Sequence, residues 1–403
     1  MSLRIKKIKI SDLFCGMFLW FGIGILDSDL YRPLLLAIGI CWCILSGRRI
    51  FKKKVFAEPL IFCYLIFLFV YLLFIPIGDK WALSFSYFGS YLIYFIIFLI
   101  FSCYKNNDDF STLVNISRVI YLWIIVLCVF AIFYYTANPL AARLYITHKG
   151  DLGGLMIGGG YQLAYVCTLI LPLKISQLLE SKKLKDLFSV VIMTILIIKT
   201  QSVITTLIAI VGSYISFIYS GNRNKRTIKV LAAVIFVVII WLLKRKIGYF
   251  LLDISYGKEV VDISTLNNTV YMRIRDIGNF LVGNQIGANT ALQLRLNNYI
   301  RPISDILKRP ITGSLFISGV CVEASNFNDS TILTNLVTWG IPLTILNLFP
   351  VLTSLKYYPI IKGSIISLLL ILLLNPSEGF SLYACAVILL PCLYYHQSFA
   401  YDK

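Results

Sequence analysis

The apolar residues of this chain are gathered into runs of roughly 15–22 residues, which short polar stretches separate. A helix needs about 20 apolar residues to cross about 30 Å of hydrocarbon, and it satisfies its own backbone hydrogen bonds there. Only 14% of the 403 residues are charged, whereas a soluble domain carries about 25%. These features predict an all-α polytopic membrane protein rather than a soluble domain.

The apolar runs predict about 12 transmembrane helices, with the N and C termini both in the cytoplasm. The predicted spans are residues 12–26, 33–46, 57–77, 82–104, 114–137, 159–179, 187–199, 203–220, 230–243, 331–355, 363–375 and 379–395. They divide the chain into a first helical part (1–243), a large outer loop (244–330) and a second helical part with a cytoplasmic tail (331–403). The first run follows basic residues, as in a signal peptide, but no small-residue cleavage site comes after it. We therefore expect a retained first helix.

Lysine and arginine are unevenly shared between the two sides of the predicted bundle. The segments on the same side of the membrane as the N terminus contain Arg48, Arg49, Lys52, Lys53, Lys54, Lys182, Lys183, Lys185, Arg223, Lys225, Arg226 and Lys229. The short loops on the other side hold only Arg32, Lys80, Arg143, Lys149 and Lys199. Because basic loops are retained in the cytoplasm, this asymmetry orients the chain. It also explains most of the net charge of +18 without a nucleic-acid partner.

The first notable outer segment, residues 138–158, combines Arg143 with many glycines. The glycines are Gly150, Gly153, Gly154 and Gly158, followed at once by Gly159 and Gly160. Glycine lets backbone N–H groups approach an anion, and an arginine fork matches phosphate bidentately. No Gly-Lys-Ser/Thr follows, so this is not a nucleotide-binding P-loop. The segment is interpreted as an anion site or as a flexible turn into the next helix.

The second outer segment, residues 244–330, is the longest polar stretch of the chain, and loops of such length are usually functional. From Leu292 to Leu307 its apolar residues recur at helical spacing. Because Pro302 interrupts the pattern, we expect a kinked helix or two short ones, ended by Pro310 and Gly313. Such an amphipathic element would lie on the membrane surface or pack against the bundle.

The cysteines and histidines do not indicate a disulfide framework or a metal site. Of ten cysteines, only Cys321 falls in the large outer segment, and the others lie in or beside predicted spans. The two histidines, His148 and His396, are far apart in the sequence and on opposite predicted sides. We therefore predict no metal and no cofactor.

The large outer segment also carries a spaced set of residues. They are Arg295, an aromatic residue four positions later at Tyr299, and then Pro310 and Gly313. This set resembles a signature of the O-antigen polymerase (Wzy) and O-antigen ligase superfamily, and it precedes a late helix, as in that family. The resemblance covers the whole predicted topology but few residues.

Further residues separate the two enzymes of that superfamily. Arg143 and Gly159 reproduce a spacing of another periplasmic loop in some polymerases. The ligase carries a His-Asn type of motif at the start of the late helix, ahead of a glycine that corresponds to Gly340. Counting back from Gly340 puts Asp329 at the histidine position, and the large loop contains no histidine. We therefore favour a polymerase, with the ligase as the alternative because Asp329 could serve as a base; a helix N-cap is the other role for Asp329.

The resemblance implies glycosyl transfer at the periplasmic face of the bacterial inner membrane. Donor and acceptor would both be undecaprenyl-diphosphate-linked glycans, with membrane lipids and a chain-length regulator as further partners. Arginines would stabilise the leaving diphosphate and a carboxylate would take the acceptor proton. The predicted catalytic residues are Arg143, Arg295 and Asp329, with Asp276, Glu323 and Glu378 as alternative bases. The predicted substrate-binding residues are Arg273, Arg275, Arg301, Gly159, Tyr299 and Gly313.

A polysaccharide flippase or another transporter is the alternative from a different functional class. Carriers tend to have two repeated halves and ionisable residues at the middle of the membrane. The sequence contains no internal repeat, and its charges cluster at the ends of the predicted spans. These features favour an enzyme.

Overall fold

The computed structural model describes most of the chain, and all regular secondary structure in the described part is helical. The described residues are 9–23, 31–77, 81–107, 109–138, 161–200, 202–220, 226–256, 267–284, 291–320, 330–356, 361–374 and 379–401. In chain order, the helices of the first half are α1 (Ile10–Ile23), α2 (Tyr31–Leu45), α3 (Gly47–Ile50), α4 (Lys53–Phe56), α5 (Pro59–Phe74), α6 (Trp81–Asn106), α7 (Phe110–Ala137), α8 (Tyr161–Ser181) and α9 (Leu184–Lys199). Those of the second half are α10 (Val203–Tyr219), α11 (Arg226–Tyr256), α12 (Asn267–Val282), α13 (Ala291–Lys308), α14 (Leu315–Ser318), α15 (Thr331–Lys356), α16 (Lys362–Leu374) and α17, which comprises Phe380–Ala384, Cys385–Leu389 and Leu390–Tyr401.

Each of the twelve predicted spans overlaps with one of these helices. Within the described residues, four helices are long and apolar enough to cross a membrane: Leu83–Asn106, Phe110–Ala137, Tyr161–Ser181 and Thr331–Phe349. Several shorter apolar helices of 10–17 residues accompany them. The protein is therefore a helical membrane protein, while the number of crossings and their orientation stay predictions.

The last helix, α17, lies at the centre of the bundle. Its residues from Phe380 to Leu393 are buried almost without exception, as expected of a helix that is apolar on all sides. The Tyr383 ring stacks on Tyr94 at 4.6 Å, and the Phe380 ring meets Phe18 edge-on at 5.0 Å. A wider π-helical turn covers Cys385–Leu389. Helices from both halves of the chain thus share one core.

A network of charges joins several helix ends at one end of the bundle. The Arg49 guanidinium, on α3, lies 3.7 Å from the Asp12 carboxylate of α1 and 3.3 Å from Asp109, which precedes α7. The Tyr104 hydroxyl, near the end of α6, donates to Asp12 at 2.7 Å. The start of α1, the end of α6 and the start of α7 therefore lie at the same end of the bundle.

A buried ion pair connects α8 to α9. The Lys174 Nζ lies 3.4 Å from Asp186 Oδ1, and the two residues are 8% and 4% exposed. The Ser181 hydroxyl donates to the other carboxylate oxygen at 3.0 Å. The Lys174 ammonium also lies 4.5 Å from the centre of the Tyr121 ring on α7. This pair therefore ties the α8–α9 hairpin to a third helix.

Small residues allow α8, α10 and α16 to pack closely. A Cβ at Gly212 would collide with the Ser367 hydroxyl and lie 3.1 Å from Pro172 Cγ. A Cβ at Gly363 would collide with the Gly212 carbonyl. Close approach of small residues is a common way for helices to associate in lipid, where burial of apolar surface between helices gains little.

Helix α11 is longer than the span predicted over 230–243, and the boundary predicted at residue 243 lies inside it. Its C-terminal part packs antiparallel on α12 through two glycines. A Cβ at Gly248 would lie 2.9 Å from the Gly278 carbonyl oxygen, and a Cβ at Gly278 would lie 3.0 Å from that of Gly248. Part of the predicted large loop is therefore a helical hairpin formed by the end of α11 and by α12.

Candidate functional site

Helix α15 is broken in its middle at Gly340. This glycine has φ 74° and ψ 178°, which interrupts the helical path. Two residues later Pro342 has no N–H, so it cannot donate to the carbonyl of Thr338, four residues before it. Ile341 N–H points elsewhere, to the Pro310 carbonyl at 2.8 Å, which leaves the Val337 carbonyl without its helical donor as well. The break therefore exposes two carbonyls inside an apolar helix.

The turn after α13 provides the missing partners. Ser314 N–H donates to the carbonyls of Val337 and Thr338, at 3.0 and 3.1 Å, and Pro310 accepts from Ile341. Buried backbone groups in a membrane have to be paired within the protein, since water does not compete for them. The turn over residues 309–314 and the break at Gly340 thus provide hydrogen-bond partners for each other's backbone groups. We call this unit the α15 clamp.

Two glycines make the α15 clamp possible. Gly313 has φ +55°, and a Cβ there would lie 2.6 Å from both the Gly340 nitrogen and the Val337 carbonyl oxygen. A Cβ at Gly340 would collide with the Ile311 carbonyl. The glycine of the sequence signature and the glycine of the late helix are therefore in direct contact.

Of the two outcomes expected at Pro302, the division into two short helices is wrong, because a single helix runs from Ala291 to Lys308 with the proline inside it. Pro302 is buried, and Tyr299 on the same face donates its hydroxyl to the Leu374 carbonyl at the end of α16, at 3.1 Å. Contacts of this face with α15 and α16 stabilise the helix despite the lost intrahelical bond. The helix does end before Pro310 and Gly313, as predicted.

The structure separates the two predicted arginines of α13. Arg295 precedes Tyr299 by one turn, so its position is on the face that meets α15 and α16. Its side chain lies outside the described part of the structure. Arg301 is exposed on the opposite face, close to the exposed ion pair of Asp305 and Lys308, at 3.9 Å. The two arginines therefore do not share a face of α13.

The predicted residues of α12 form a second group, on a helix that contacts α13. Arg275 and Asp276 are half-buried, while the side chain of Arg273 lies outside the described part. Burial raises the pKa of the Asp276 carboxyl, and the neighbouring Arg275 partly opposes this. A carboxyl with a raised pKa is a better proton acceptor near neutral pH than an ordinary one. Asp276 therefore has a property that a general base requires.

The start of α15 is capped by Ser330. Its hydroxyl accepts a hydrogen bond from the Leu333 N–H at 3.2 Å, and the residue is 2% exposed. This is the N-cap geometry that the sequence had suggested for the preceding residue, Asp329. Asp329 itself lies outside the described residues, as do Arg143, Gly159, Glu323 and Glu378.

An aromatic cluster next to the α15 clamp was missed by the sequence analysis. The Trp339 ring packs against Phe67, Tyr71 and Tyr91 of α5 and α6, with centroids 5.1, 6.2 and 5.5 Å away. The Trp339 Nε1 and, one turn earlier, the Asn335 Nδ2 are buried without a hydrogen-bond partner among the described residues. The adjacent Trp339-Gly340 pair was visible in the sequence, but its neighbours come from helices about 250 residues away.

The described thiols do not form a bridge. Nine cysteines are free, and the Cys128 and Cys167 sulfurs lie 3.3 Å apart as an S–H···S contact. In the described ranges, no group of three His, Cys, Asp or Glu side chains could hold a metal ion.

The candidate site is the region where α13, α15 and α16 meet. It contains the α15 clamp, the anchored Tyr299 and the position of Arg295, and α12, which carries Asp276, contacts α13. Arginine and N–H donors in a poorly hydrated region can stabilise an oxyanion or bind a phosphate. No protein-family model matches the chain, and no curated protein matches it.

Proposed function

We propose that this protein is a glycosyltransferase that polymerises lipid-linked glycans. It would join undecaprenyl-diphosphate-linked oligosaccharide repeat units into O-antigen, or a related surface polysaccharide, at the periplasmic face of the bacterial inner membrane. The proposal rests on the resemblance of the segment from Arg295 to Gly313 to the polymerase signature. A chain-length regulator is the expected protein partner.

One observation supports the proposal: three of the four signature residues, Tyr299, Pro310 and Gly313, contact the neighbouring helices α15 and α16. Pro310 and Gly313 dock on the break at Gly340, while Tyr299 is fixed to the end of α16. Residues that are similar to a motif only by chance have no reason to contact two neighbouring late helices. The residues of the signature therefore support a common role.

The reaction needs two kinds of group. The acceptor hydroxyl oxygen attacks the anomeric carbon, the bond from that carbon to the diphosphate oxygen breaks, and the lipid diphosphate leaves with the bonding electrons. Arg143 and Arg295 would stabilise the charge on the diphosphate, because such interactions strengthen where water is excluded. Asp329 would take the proton of the acceptor hydroxyl, with Asp276 as the alternative.

Replacing Arg295 with alanine is expected to lower polymerisation by about a hundredfold, the usual effect of removing one electrostatic stabiliser of a transition state. Arg295→Lys should restore little of it, because lysine cannot make the bidentate contact. We expect similar losses in Arg143→Ala and Asp329→Asn. The measurement is the length of glycan ladders from cells that express each variant at the wild-type level.

Lys308→Ala is the matched control, since Lys308 is exposed on the same helix. Full ladders in all three site variants would contradict the site assignment.

The glycan-bearing lipid that accumulates in a deletion strain tests the function itself. Single repeat units on lipid A core support a polymerase, whereas finished polymer on undecaprenyl lipid would indicate a ligase. Repeat units retained in the cytoplasmic leaflet would indicate a flippase.

A further inference from the structure

The turn after α13 lies at the depth of the middle of a membrane-spanning helix. Gly340, which contacts the Ile311 carbonyl, is nine residues into α15, or about 13 Å along a helix axis. The apolar stretch of α15 runs from Thr331 to Phe349 and is long enough to cross a membrane. Ile311 therefore lies beside the middle of this stretch, and not beyond its end.

Helix α13 has two apolar faces, and only one of them is covered by protein. Tyr299, Pro302 and Ile306 lie on the inner face, at spacings of three and four residues. The second face continues through the turn into α14 and is exposed to the outside of the bundle. Its side chains, with their exposed fractions, are Ile300 (64%), Ile303 (49%), Leu307 (75%), Ile311 (71%), Phe316 (67%) and Ile317 (60%). We call these six side chains the outer apolar row.

We propose that the segment from Leu307 to Ile317 is a re-entrant membrane element, and that its four side chains of the outer apolar row insert into the acyl chains of one leaflet. The segment would enter the bilayer from the side of the 244–330 region and return to the same side. This binding surface is independent of the reaction proposed above, because it depends only on the depth and exposure of the segment.

The backbone of the segment is suited to this environment. Irregular backbone is tolerated in the hydrocarbon region only where protein satisfies its hydrogen bonds. The α15 clamp does so for the Pro310 carbonyl and the Ser314 N–H. Gly313 N–H donates to the Arg309 carbonyl at 3.0 Å, and Gly319 N–H to that of Leu315 at 3.1 Å. The turn can therefore lie below the membrane surface without unpaired polar groups at these positions.

The outer apolar row continues an apolar surface of the bundle, which favours lipid over a protein partner. The Phe316 ring meets the Phe74 ring of α5 edge-on at 5.1 Å. Leu72 and Leu73, next to it on α5, are 43% and 57% exposed. On an apolar helix of this kind such side chains face acyl chains. The outer apolar row lies next to these side chains of α5, so we expect it to face the same acyl chains.

Photo-crosslinking of the full-length protein tests this proposal. Ile311→benzoylphenylalanine, Leu307→benzoylphenylalanine and Ile317→benzoylphenylalanine are purified and placed in vesicles of phosphatidylethanolamine and phosphatidylglycerol with radiolabelled acyl chains. After irradiation we expect lipid adducts at all three positions, severalfold above the level at the control, Asp305→benzoylphenylalanine. Asp305 lies on the polar, exposed face of α13.

The three positions keep the test decisive if one variant does not accumulate. Adduct levels at Leu307, Ile311 and Ile317 equal to the level at Asp305 would overturn the proposal. So would crosslinks from these positions to another protein in intact cells, since they would assign the surface to a protein partner. A chain that inserts as proposed but fails to polymerise glycans would refute only the proposed reaction.

Discussion

Gly340→Ala is expected to remove most of the folded protein from the membrane. At φ 74° and ψ 178° the backbone lies in a region that is available almost only to glycine, and a Cβ would collide with the Ile311 carbonyl. The strain alone amounts to about 1–3 kcal/mol, and moving the turn would break the hydrogen bonds of the α15 clamp as well. Quantitative immunoblotting of membranes and the thermal stability of purified protein in detergent measure the effect.

Gly89→Ala is the matched control for this prediction. Gly89 lies in α6, and nothing lies within 4 Å of a Cβ built there. Since alanine has a higher helix propensity than glycine, this variant should be as stable as the wild type, or more stable by up to about 1 kcal/mol. Gly313→Ala should behave like Gly340→Ala, because its Cβ would lie 2.6 Å from the Gly340 nitrogen. A normal amount and stability of Gly340→Ala would refute the α15 clamp.

Asp186→Ala is expected to have an effect of similar size where α8 meets α9. It leaves the ammonium of Lys174, which is 8% exposed, without its carboxylate in an apolar interface. Breaking a buried ion pair in this way costs about 3–5 kcal/mol. The expected result is a large loss of thermal stability, together with easier proteolysis of the loop between α8 and α9. Thermal unfolding in detergent and limited proteolysis are the measurements.

The double variant Lys174→Met with Asp186→Leu should recover most of this stability, because a buried ion pair can be replaced by apolar residues at little loss. Asp305→Asn is the control for loss of a carboxylate. Its ion pair with Lys308, at 3.9 Å, has side chains that are 47% and 71% exposed, and exposed pairs contribute little. If Asp186→Ala and Asp305→Asn were equally stable, the proposed role of the buried pair would be wrong.

Much of the local structure could be predicted from the sequence. The apolar runs located a helix in each predicted span, and the spacing from Leu292 to Leu307 located α13. Periodicity and run length are local properties, so they survive in the folded protein. The alternative of two short helices around Pro302 was wrong for the opposite reason: contacts with distant helices override the preference of a single residue.

The candidate site was predictable only in part. The sequence indicated Arg295, Tyr299, Pro310 and Gly313 as a set, but it could not connect them to Gly340. It left a base and a helix cap as alternative roles for Asp329, and in the described residues Ser330 makes the capping bond of α15. Such assignments depend on differences of one residue at a helix end, where sequence patterns are least informative.

The sequence by itself determined that the chain is helical and belongs in a membrane, since long apolar runs with few charges leave no other stable arrangement of the backbone. Only the tertiary structure decided how the turn at Gly313 enters the break at Gly340, and which face of α13 is covered. These features depend on hydrogen bonds and packing between segments far apart in the chain. No local pattern encodes them, because each segment lacks the partner that makes its conformation stable.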